Sequence, residues 1–449
     1  MRTGTDPGTT ASAPRPRVLV IAEAANPEWQ SVPLVGWSHA DALREVADVH
    51  LVTQVRNRDA IVRAGLVEGR DFTAIDSERV ARPLWHLTRL LPGGWTTSMA
   101  AYLPAYLYFE RLVWRRFGAD IRAGRYDVVH RLTPLSPTVP SPIAARCRKA
   151  GVPFVLGPLN GGLPWPRNFD QERRREREWL SYVRGAYKLV PGYRRTRENA
   201  AAIVVASRAT LEQVPERWRS KCVYIPENGL DERRFHARRE RPGGGPLAIV
   251  FVGRLVPYKG PDLLLEAVDP LLREDRARLT IVGDGPLLAS MRAAASERGV
   301  QDKVRFTGWV DHQQVQHLLA AADVFAFPSI REFGGAAPLE AMAVGVPAIV
   351  VDYGGPGEIV TEDTGWLLPL GTRANLAAGL RALLTSLCAD RDAIERRAQA
   401  ALQRAWNWFA WRVKARQTLE VYRWVLGRRP DRPEFGMPFA GVGTALARP

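Results

Sequence analysis

The residues best suited to chemistry lie on three loops in the second half of the chain, each after a short apolar run. The first loop is FVGRLVPYKG, residues 251–260, where Gly253 ends a predicted strand and Arg254 and Lys259 precede a predicted helix. Two cations beside a helix N-terminus can hold a diphosphate, because side chains and unpaired backbone N–H groups both attract anions. Basic loop residues are usually only solvated, so this loop alone would be weak support for a site.

The second loop is IVGDGP, residues 281–286, with Gly283 and Gly285 at a predicted strand end. Glycine at such a position lets a ligand approach the backbone closely. An ordinary tight turn explains this short motif equally well.

The third loop is PSIREFGGAAPLE, residues 328–340, with Glu332 in the loop and Glu340 on the helix that follows. Gly334 and Gly335 would expose backbone N–H groups at the helix N-terminus, which suits an anion. A carboxylate before this cluster can accept sugar hydroxyls, and one in the first turns of the helix can accept ribose hydroxyls. Acidic residues that complement a helix dipole would explain one glutamate but not the whole loop.

Alternating strands and helices must position these loops. Short apolar runs predict buried strands at residues 18–24, 49–53, 128–130, 154–157, 203–206, 223–226, 248–253, 279–283, 304–307, 324–328, 348–352 and 366–368. Helical patterns between them favour right-handed βαβ crossovers and doubly wound parallel sheets. Ligands of such sheets bind at the carboxyl ends of the strands, here in a cleft between two domains.

Composition divides the chain. We expect a disordered leader at 1–16, a Rossmann-like domain at 17–236 with a helical insertion near 83–117, a second Rossmann-like domain at 247–405, and a flexible tail at 428–449. The linker between the domains is ARRERPGGGP, residues 237–246, which combines charge with glycine and proline.

The chain is basic, with 63 Lys and Arg against 47 Asp and Glu among 449 residues, a net charge of +16. Such a charge could favour nucleic acid, an anionic membrane or phosphorylated ligands, and an arginine-biased composition explains it as well. The three cysteines are widely spaced, so neither a disulfide framework nor a zinc site is predicted and a cytoplasmic location fits. Asp390 and Asp392 match a DxD metal motif but lie away from any predicted strand end, so no metal is expected.

Five segments together resemble the retaining glycosyltransferases of the GT-B fold, in the large family 4. They are FVGRLVPYKGPDLLLEA, IVGDGP, VRFTGWV, DVFAFPSIREFGGAAPLEAMAVGVPAIVVDYGGPGEIV and GWLLP, within residues 247–370. The resemblance implies an α/β fold of two Rossmann-like domains facing across a cleft, with the donor bound by the second domain. It also implies that residues 406–427 form a helix that packs back on the first domain.

The resemblance assigns roles to the three loops. Arg254 and Lys259 would bind the donor diphosphate, Glu332 the donor sugar and Glu340 the ribose. The implied donor contacts are completed by Gly253, Gly283, Gly285, Phe333, Gly334 and Gly335.

The first half resembles the family more loosely. PENGLD, residues 226–231, looks like the connection into the second domain, and YDVVH, residues 126–130, looks like the strand whose last histidine lies near the transferred sugar. His130 is therefore the predicted site residue of the first domain, and a histidine that caps a buried strand is the alternative. The family's Gly-Gly pair after the first strand is absent, with Gly36 as the nearest substitute.

The implied reaction moves a sugar from a UDP- or GDP-linked donor to a hydroxyl of a saccharide or lipid-linked acceptor, with retained configuration and without a cofactor or metal. Two alternatives are a GT-B-fold nucleotide-sugar epimerase and a non-catalytic basic adaptor for membrane or nucleic acid. For the transferase, nucleic acid is not an expected partner. The basic stretch 171–198 and the aromatic stretch 83–117 favour attachment to the cytoplasmic face of an anionic membrane.

Overall fold

The chain forms two parallel β-sheets flanked by helices. The computed structural model describes residues 14–90, 95–166, 169, 190–239 and 244–438. The first sheet has the strand order β3-β2-β1-β4-β5-β6-β7 and the second β10-β9-β8-β11-β12-β13. Both orders place the first strand of each half centrally, as in Rossmann-like domains, so the predicted fold class is confirmed.

The strands of the first sheet are β1 Arg17–Ala22, β2 Asp48–Gln54, β3 Phe72–Ile75, β4 Val128–Thr133, β5 Phe154–Leu159, β6 Ala202–Val205 and β7 Cys222–Tyr224. Those of the second sheet are β8 Leu247–Val252, β9 Ala277–Val282, β10 Val304–Gly308, β11 Val324–Phe327, β12 Ala348–Val351 and β13 Gly365–Leu368. The strand pairs are parallel throughout these ladders. The carboxyl ends of each sheet therefore share one edge.

The helices of the first half are α1 Val32–Leu43, α2 Arg58–Arg63, α3 Glu78–Leu90, α4 Trp95–Arg122, α5 Ile143–Lys149, α6 Tyr193–Asn199 and α7 Arg208–Gln213. Those of the second half are α8 Pro261–Arg273, α9 Leu288–Glu297, α10 His312–Ala320, α11 Ala336–Ala343, α12 Gly354–Ile359, α13 Arg373–Ala389, α14 Asp392–Phe409 and α15 Trp411–Val425. Helices α3 and α4 lie where the sequence predicts a helical insertion. None of the described helices is long and apolar enough to cross a bilayer.

The chain crosses between the two halves twice, near Leu230 and near Ala410, and backbone hydrogen bonds connect the two crossings. Leu230 N donates to Phe409 O at 2.8 Å, and Trp411 N donates to Leu230 O at 3.0 Å. Phe409, at the end of α14, is buried in the second core, whereas Trp411 and Tyr422 of α15 are buried in the first. The returning helix thus begins after Ala410. The predicted domain limits stay a prediction.

Two predicted surface features are only partly described. Residues 171–189 of the basic stretch lie outside the described residues, as do the leader to residue 13 and the tail from 439. In the described part of the stretch, Arg197 is 1% exposed. It donates to the Pro137 carbonyl at 2.6 Å, so it is a structural cation and adds nothing to a surface patch. Within the predicted tail, Met437 is buried in the second core.

Candidate active site

Hydrogen bonds between two loops at the carboxyl edge of the second sheet bring Lys259 and Glu332 together. The loop after β8 and the loop after β11 are neighbours because β8 and β11 pair. The Tyr258 carbonyl accepts from Ile330 N at 2.9 Å and from the Ser329 hydroxyl at 3.2 Å. Lys259 Nζ then donates to Glu332 Oε2 at 2.7 Å. The structure thus joins two residues that the sequence assigns to one ligand.

Charge at this pair is concentrated and partly shielded from water. The Lys259 and Glu332 side chains are 19% and 22% exposed. Burial lowers the pKa of Lys259, but the Glu332 carboxylate outweighs it, so the pKa lies above its usual value. Arg254 is exposed, and its side chain makes no hydrogen bond or ion pair with any residue that the structure describes. Arg254 is close enough to repel Lys259 and lower its pKa slightly, so two cations lie on the same side of the site.

The backbone beyond Glu332 forms the N-terminus of α11. Gly335 has φ 66°, a left-handed conformation that favours glycine, and α11 starts at the next residue. The first turn of a helix has unpaired N–H groups, so this end can accept an anion. The Glu332 carbonyl accepts from Gly355 N at 3.0 Å, which fixes the loop. Glu340 lies on α11 itself, half-buried.

The glycines predicted at the strand ends, Gly253, Gly283 and Gly285, lie close together after β8 and β9. Gly253 N donates to Val282 O at 3.0 Å, and Gly283 N donates to Gly308 O at 2.9 Å. Gly283 has φ 132°, and a Cβ there would lie 2.0 Å from the Gly253 carbonyl oxygen, so a side chain is excluded. A Cβ at Gly285 would lie 2.5 Å from the Leu255 carbonyl oxygen. The strand ends are thus packed backbone to backbone.

His130 is not brought into this set. It lies on β4, 0% exposed, with Nδ1 2.7 Å from the Tyr422 hydroxyl and Nε2 2.7 Å from the Gly157 carbonyl. Burial lowers its pKa to about 4, against the opposing effect of the Gly157 carbonyl. A carbonyl only accepts, so Nε2 carries the proton and the neutral ring is fixed in the core. With both nitrogens engaged, His130 has no atom to offer a substrate.

A segment of the first domain to which the sequence analysis assigned no role, residues 164–165, contacts the loop that carries Glu332 and the start of α12. The Arg331 guanidinium contacts the rings of Trp165 and Phe333, 4.7 Å and 4.9 Å from their centroids. The Tyr353 hydroxyl donates to the Pro164 carbonyl at 2.6 Å. Trp165 is itself buried in the second core. The only sequence signal near it is the glycine-rich exit of β5 at residues 157–162.

Glu358 is a second residue that sequence reasoning missed. It lies on α12, where one carboxylate oxygen accepts from Arg208 N and the other from the Tyr224 hydroxyl, both at 2.8 Å. Burial raises its pKa to about 7, although these hydrogen bonds lower it. The two donors belong to the first domain, so Glu358 joins the domains beside the site. Among the described residues, no group of three His, Cys, Asp or Glu side chains could hold a metal ion.

The family model for glycosyl transferases group 1 matches residues 232–401, which include the loops described above. This part of the chain is similar to that family, and the match covers less than half of the chain. The structure of Anabaena HepE in complex with UDP and glucose has a TM-score of 0.58 at 18% identity, over 90% of this chain and 99% of that one. This likeness supports the GT-B fold.

Two curated relatives each match a little less than half of the chain. A Mycobacterium tuberculosis glycogen synthase is 35% identical over 202 residues, 44% of this chain and 48% of the relative. A GDP-mannose-dependent alpha-(1-6)-phosphatidylinositol monomannoside mannosyltransferase from the same organism is 37% identical over 206 residues, 42% of this chain and 52% of the relative. The chain thus spans about half the length of the curated relatives that it matches.

Proposed function

We propose that this protein transfers a sugar from a nucleoside diphosphate sugar to an acceptor hydroxyl and retains the anomeric configuration. The observation that carries the proposal is the Lys259–Glu332 pair, with Arg254 beside it and the α11 N-terminus next in the chain. Cations and a helix terminus suit a diphosphate, and a carboxylate suits sugar hydroxyls. The names of similar proteins include both UDP and GDP-mannose, so both donors are candidates.

The same pair suggests how donor binding organises the site. Without a ligand, the cation for the diphosphate and the carboxylate for the sugar neutralise each other. A bound diphosphate would attract Lys259 and release Glu332 to accept a sugar hydroxyl. The ion pair would thus keep both groups in position before the donor arrives, which reduces the reorganisation needed for reaction.

In the reaction, the bond between the anomeric carbon and the β-phosphate oxygen breaks, and the diphosphate leaves with the electron pair. The acceptor oxygen forms the new bond on the face that the diphosphate vacates, and its proton passes to the departing phosphate. Arg254, Lys259 and the N–H groups near Gly335 would stabilise the charge that grows on the diphosphate. Glu332 would orient the sugar, and Glu340 would accept ribose hydroxyls.

Incubation with nucleotide sugars and candidate acceptors tests the proposal. Transfer to an acceptor, or slow hydrolysis without one, supports it. Formation of an epimer indicates a nucleotide-sugar epimerase instead, and no nucleotide binding at all indicates an adaptor. A thermal-shift screen against UDP, GDP, ADP and TDP identifies the base, because a ligand that binds only the folded state raises Tm.

We expect activity to persist in EDTA. Arg254, Lys259 and a helix N-terminus already supply positive charge where a metal would otherwise neutralise the diphosphate. Initial rates should be compared after dialysis against EDTA and after addition of Mg²⁺ or Mn²⁺. Loss of activity that either ion restores would contradict a metal-independent reaction.

The proposed acceptor is a saccharide or a lipid-linked sugar, in cell-surface polysaccharide or glycolipid assembly, reached at the cytoplasmic face of a membrane. The net charge of +16 and the insertion α3–α4 in the first domain support this finer proposal. Arg79 and Arg82 lie exposed on α3. A basic residue near an anionic leaflet contributes about 1 kcal/mol, so a few such residues can hold a protein there.

Flotation with anionic vesicles at low salt is expected to carry the protein to the top of the gradient. Charge reversal by Arg79→Glu with Arg82→Glu should weaken this binding at least about tenfold, because four units of charge change at the membrane face. Arg298→Glu with Arg305→Glu, in the second domain, is the matched control. Protein that remains at the bottom of the gradient would refute membrane attachment and leave the transferase proposal intact.

A further inference from the structure

Two buried polar atoms that have no hydrogen-bond partner in the described part of the chain lie on the first-domain side of the candidate site. Asn160 follows β5 and is 8% exposed. Its backbone N–H donates to Leu135 O at 2.8 Å, and its Oδ1 accepts from the Ser207 hydroxyl at 3.0 Å. Its Nδ2 has no hydrogen-bond partner among the described residues. Glu227 Oε2, on the first crossing between domains, is also buried without a partner in that part of the chain.

These atoms belong to one small cluster. The Asn160 amide is close enough to Glu227 to lower the pKa of the carboxyl group, yet the geometry forms no direct hydrogen bond to Oε2. Burial has the larger effect and, together with the Glu332 carboxylate, raises the pKa of Glu227 to about 7. A donor N–H and an acceptor oxygen thus lie near each other, and neither has a hydrogen-bond partner among the residues that the structure describes.

The cluster faces the loop that is proposed to hold the donor sugar. A Cβ on Gly334 would lie 2.3 Å from Glu227 Oε1 and 2.3 Å from Asn228 Nδ2, so only glycine fits without moving them. The Pro226 carbonyl accepts from Lys414 Nζ at 2.5 Å, which fixes the crossing from its buried side. Glu227 therefore lies against the Gly334 backbone, close enough to Glu332 for the two carboxylates to repel each other.

We propose that Asn160 and Glu227 together bind one hydroxyl group of the transferred sugar. A hydroxyl group both donates and accepts, so it can donate to Glu227 Oε2 and accept from Asn160 Nδ2 at the same time. A buried polar atom that lacks a partner is costly, and a ligand that satisfies two of them gains selectivity over one that does not. The inference rests on the proposed function and extends it, since the donor sugar would be held from both domains.

Affinities for a nucleotide sugar and for its free nucleoside diphosphate test the inference. By calorimetry, Glu227→Gln and Asn160→Ala should each weaken nucleotide-sugar binding roughly tenfold and change nucleoside diphosphate binding less than about twofold. Glu232→Gln, an exposed glutamate of the same crossing, should change neither. Melting curves of all variants check that the fold is retained.

Donor analogues that lack single sugar hydroxyls identify the group. For one deoxy analogue, the wild-type affinity should fall to the affinity that the variants have for the complete donor. The variants should bind this analogue no more weakly than they bind the complete donor. Equal weakening of nucleotide sugar and nucleoside diphosphate would overturn the proposal in favour of a structural role. Unchanged donor affinity with a raised acceptor KM would assign the hydroxyl to the acceptor and overturn it as well. If wild type binds no nucleotide, the proposed function itself fails.

Discussion

Arg254→Ala and Lys259→Ala are each expected to lower kcat/KM for the nucleotide sugar by roughly 10- to 150-fold while leaving the fold intact. Each change removes a charge-assisted hydrogen bond to the diphosphate, worth about 1.5–3 kcal/mol, and about 1.4 kcal/mol corresponds to a factor of ten. Arg254 is exposed and makes no ion pair within the described structure, so its loss should leave Tm nearly unchanged.

Lys259→Ala should have the larger effect of the two. It removes a diphosphate ligand and also leaves the Glu332 carboxylate, 22% exposed, without its ion-pair partner. Lys259→Arg keeps the charge but changes its shape, so partial recovery is expected.

Initial rates with varied donor, together with Tm, measure both effects. Arg305→Ala, which removes an exposed cation from β10 in the same domain, is the control for net charge. Wild-type kinetics in either variant would mean that the diphosphate binds elsewhere.

The fold was largely predictable because its signal is local. Parallel strands buried on both faces appear in the sequence as short apolar runs, and twelve of the thirteen strands that the structure describes overlap a predicted one. Strand β3, FTAI, was not predicted. It lies at the edge of the first sheet, its apolar run is interrupted by Thr73, and Thr73 and Ala74 are partly exposed.

The site loops of the second domain could be predicted for a similar reason. Arg254, Lys259 and Glu332 lie on loops after paired strands, so the order of the sheet brings them together once the strands are known. The contact between Lys259 and Glu332 could not be read from spacing, because it depends on the hydrogen bonds from Ile330 and Ser329 to the Tyr258 carbonyl.

Contacts between residues of the two domains could not be predicted from the sequence. The environment of His130 is set by Tyr422, which is 292 positions away in the chain. Trp165 meets Arg331 only after both domains have folded and docked. Glu227 lies in the PENGLD connection and Asn160 in the glycine-rich exit of β5, but neither motif shows that a polar atom lacks a partner, since this depends on what surrounds the atom in three dimensions.

Glu332→Gln and Glu340→Gln are expected to separate sugar recognition from nucleotide recognition. Glu332→Gln should lower kcat/KM for the nucleotide sugar by roughly 10- to 150-fold, because a charge-assisted hydrogen bond to the sugar is lost. It should not weaken binding of the free nucleoside diphosphate. In the ligand-free protein Glu332 holds Lys259 at 2.7 Å, so removing its charge leaves the cation freer to bind phosphate.

Glu340→Gln should do the reverse, because Glu340 lies on α11, beyond the loop, and is assigned to the ribose. Binding of the free nucleoside diphosphate should weaken by roughly tenfold or more. Turnover at saturating donor should change less, since ribose contacts are made in the ground state and the transition state alike.

Calorimetric affinity for the nucleoside diphosphate and kcat at saturating donor should be measured for both variants. Glu297→Gln, an exposed glutamate at the end of α9, controls for the loss of one negative charge. Because Glu332 and Glu340 are close in sequence and belong to one loop and its helix, a general disturbance of the loop would affect both measurements in both variants. Equal losses of nucleoside diphosphate affinity in the two variants would therefore show that the division between sugar and ribose is wrong, while a crossed pattern would place each carboxylate on its own part of the donor.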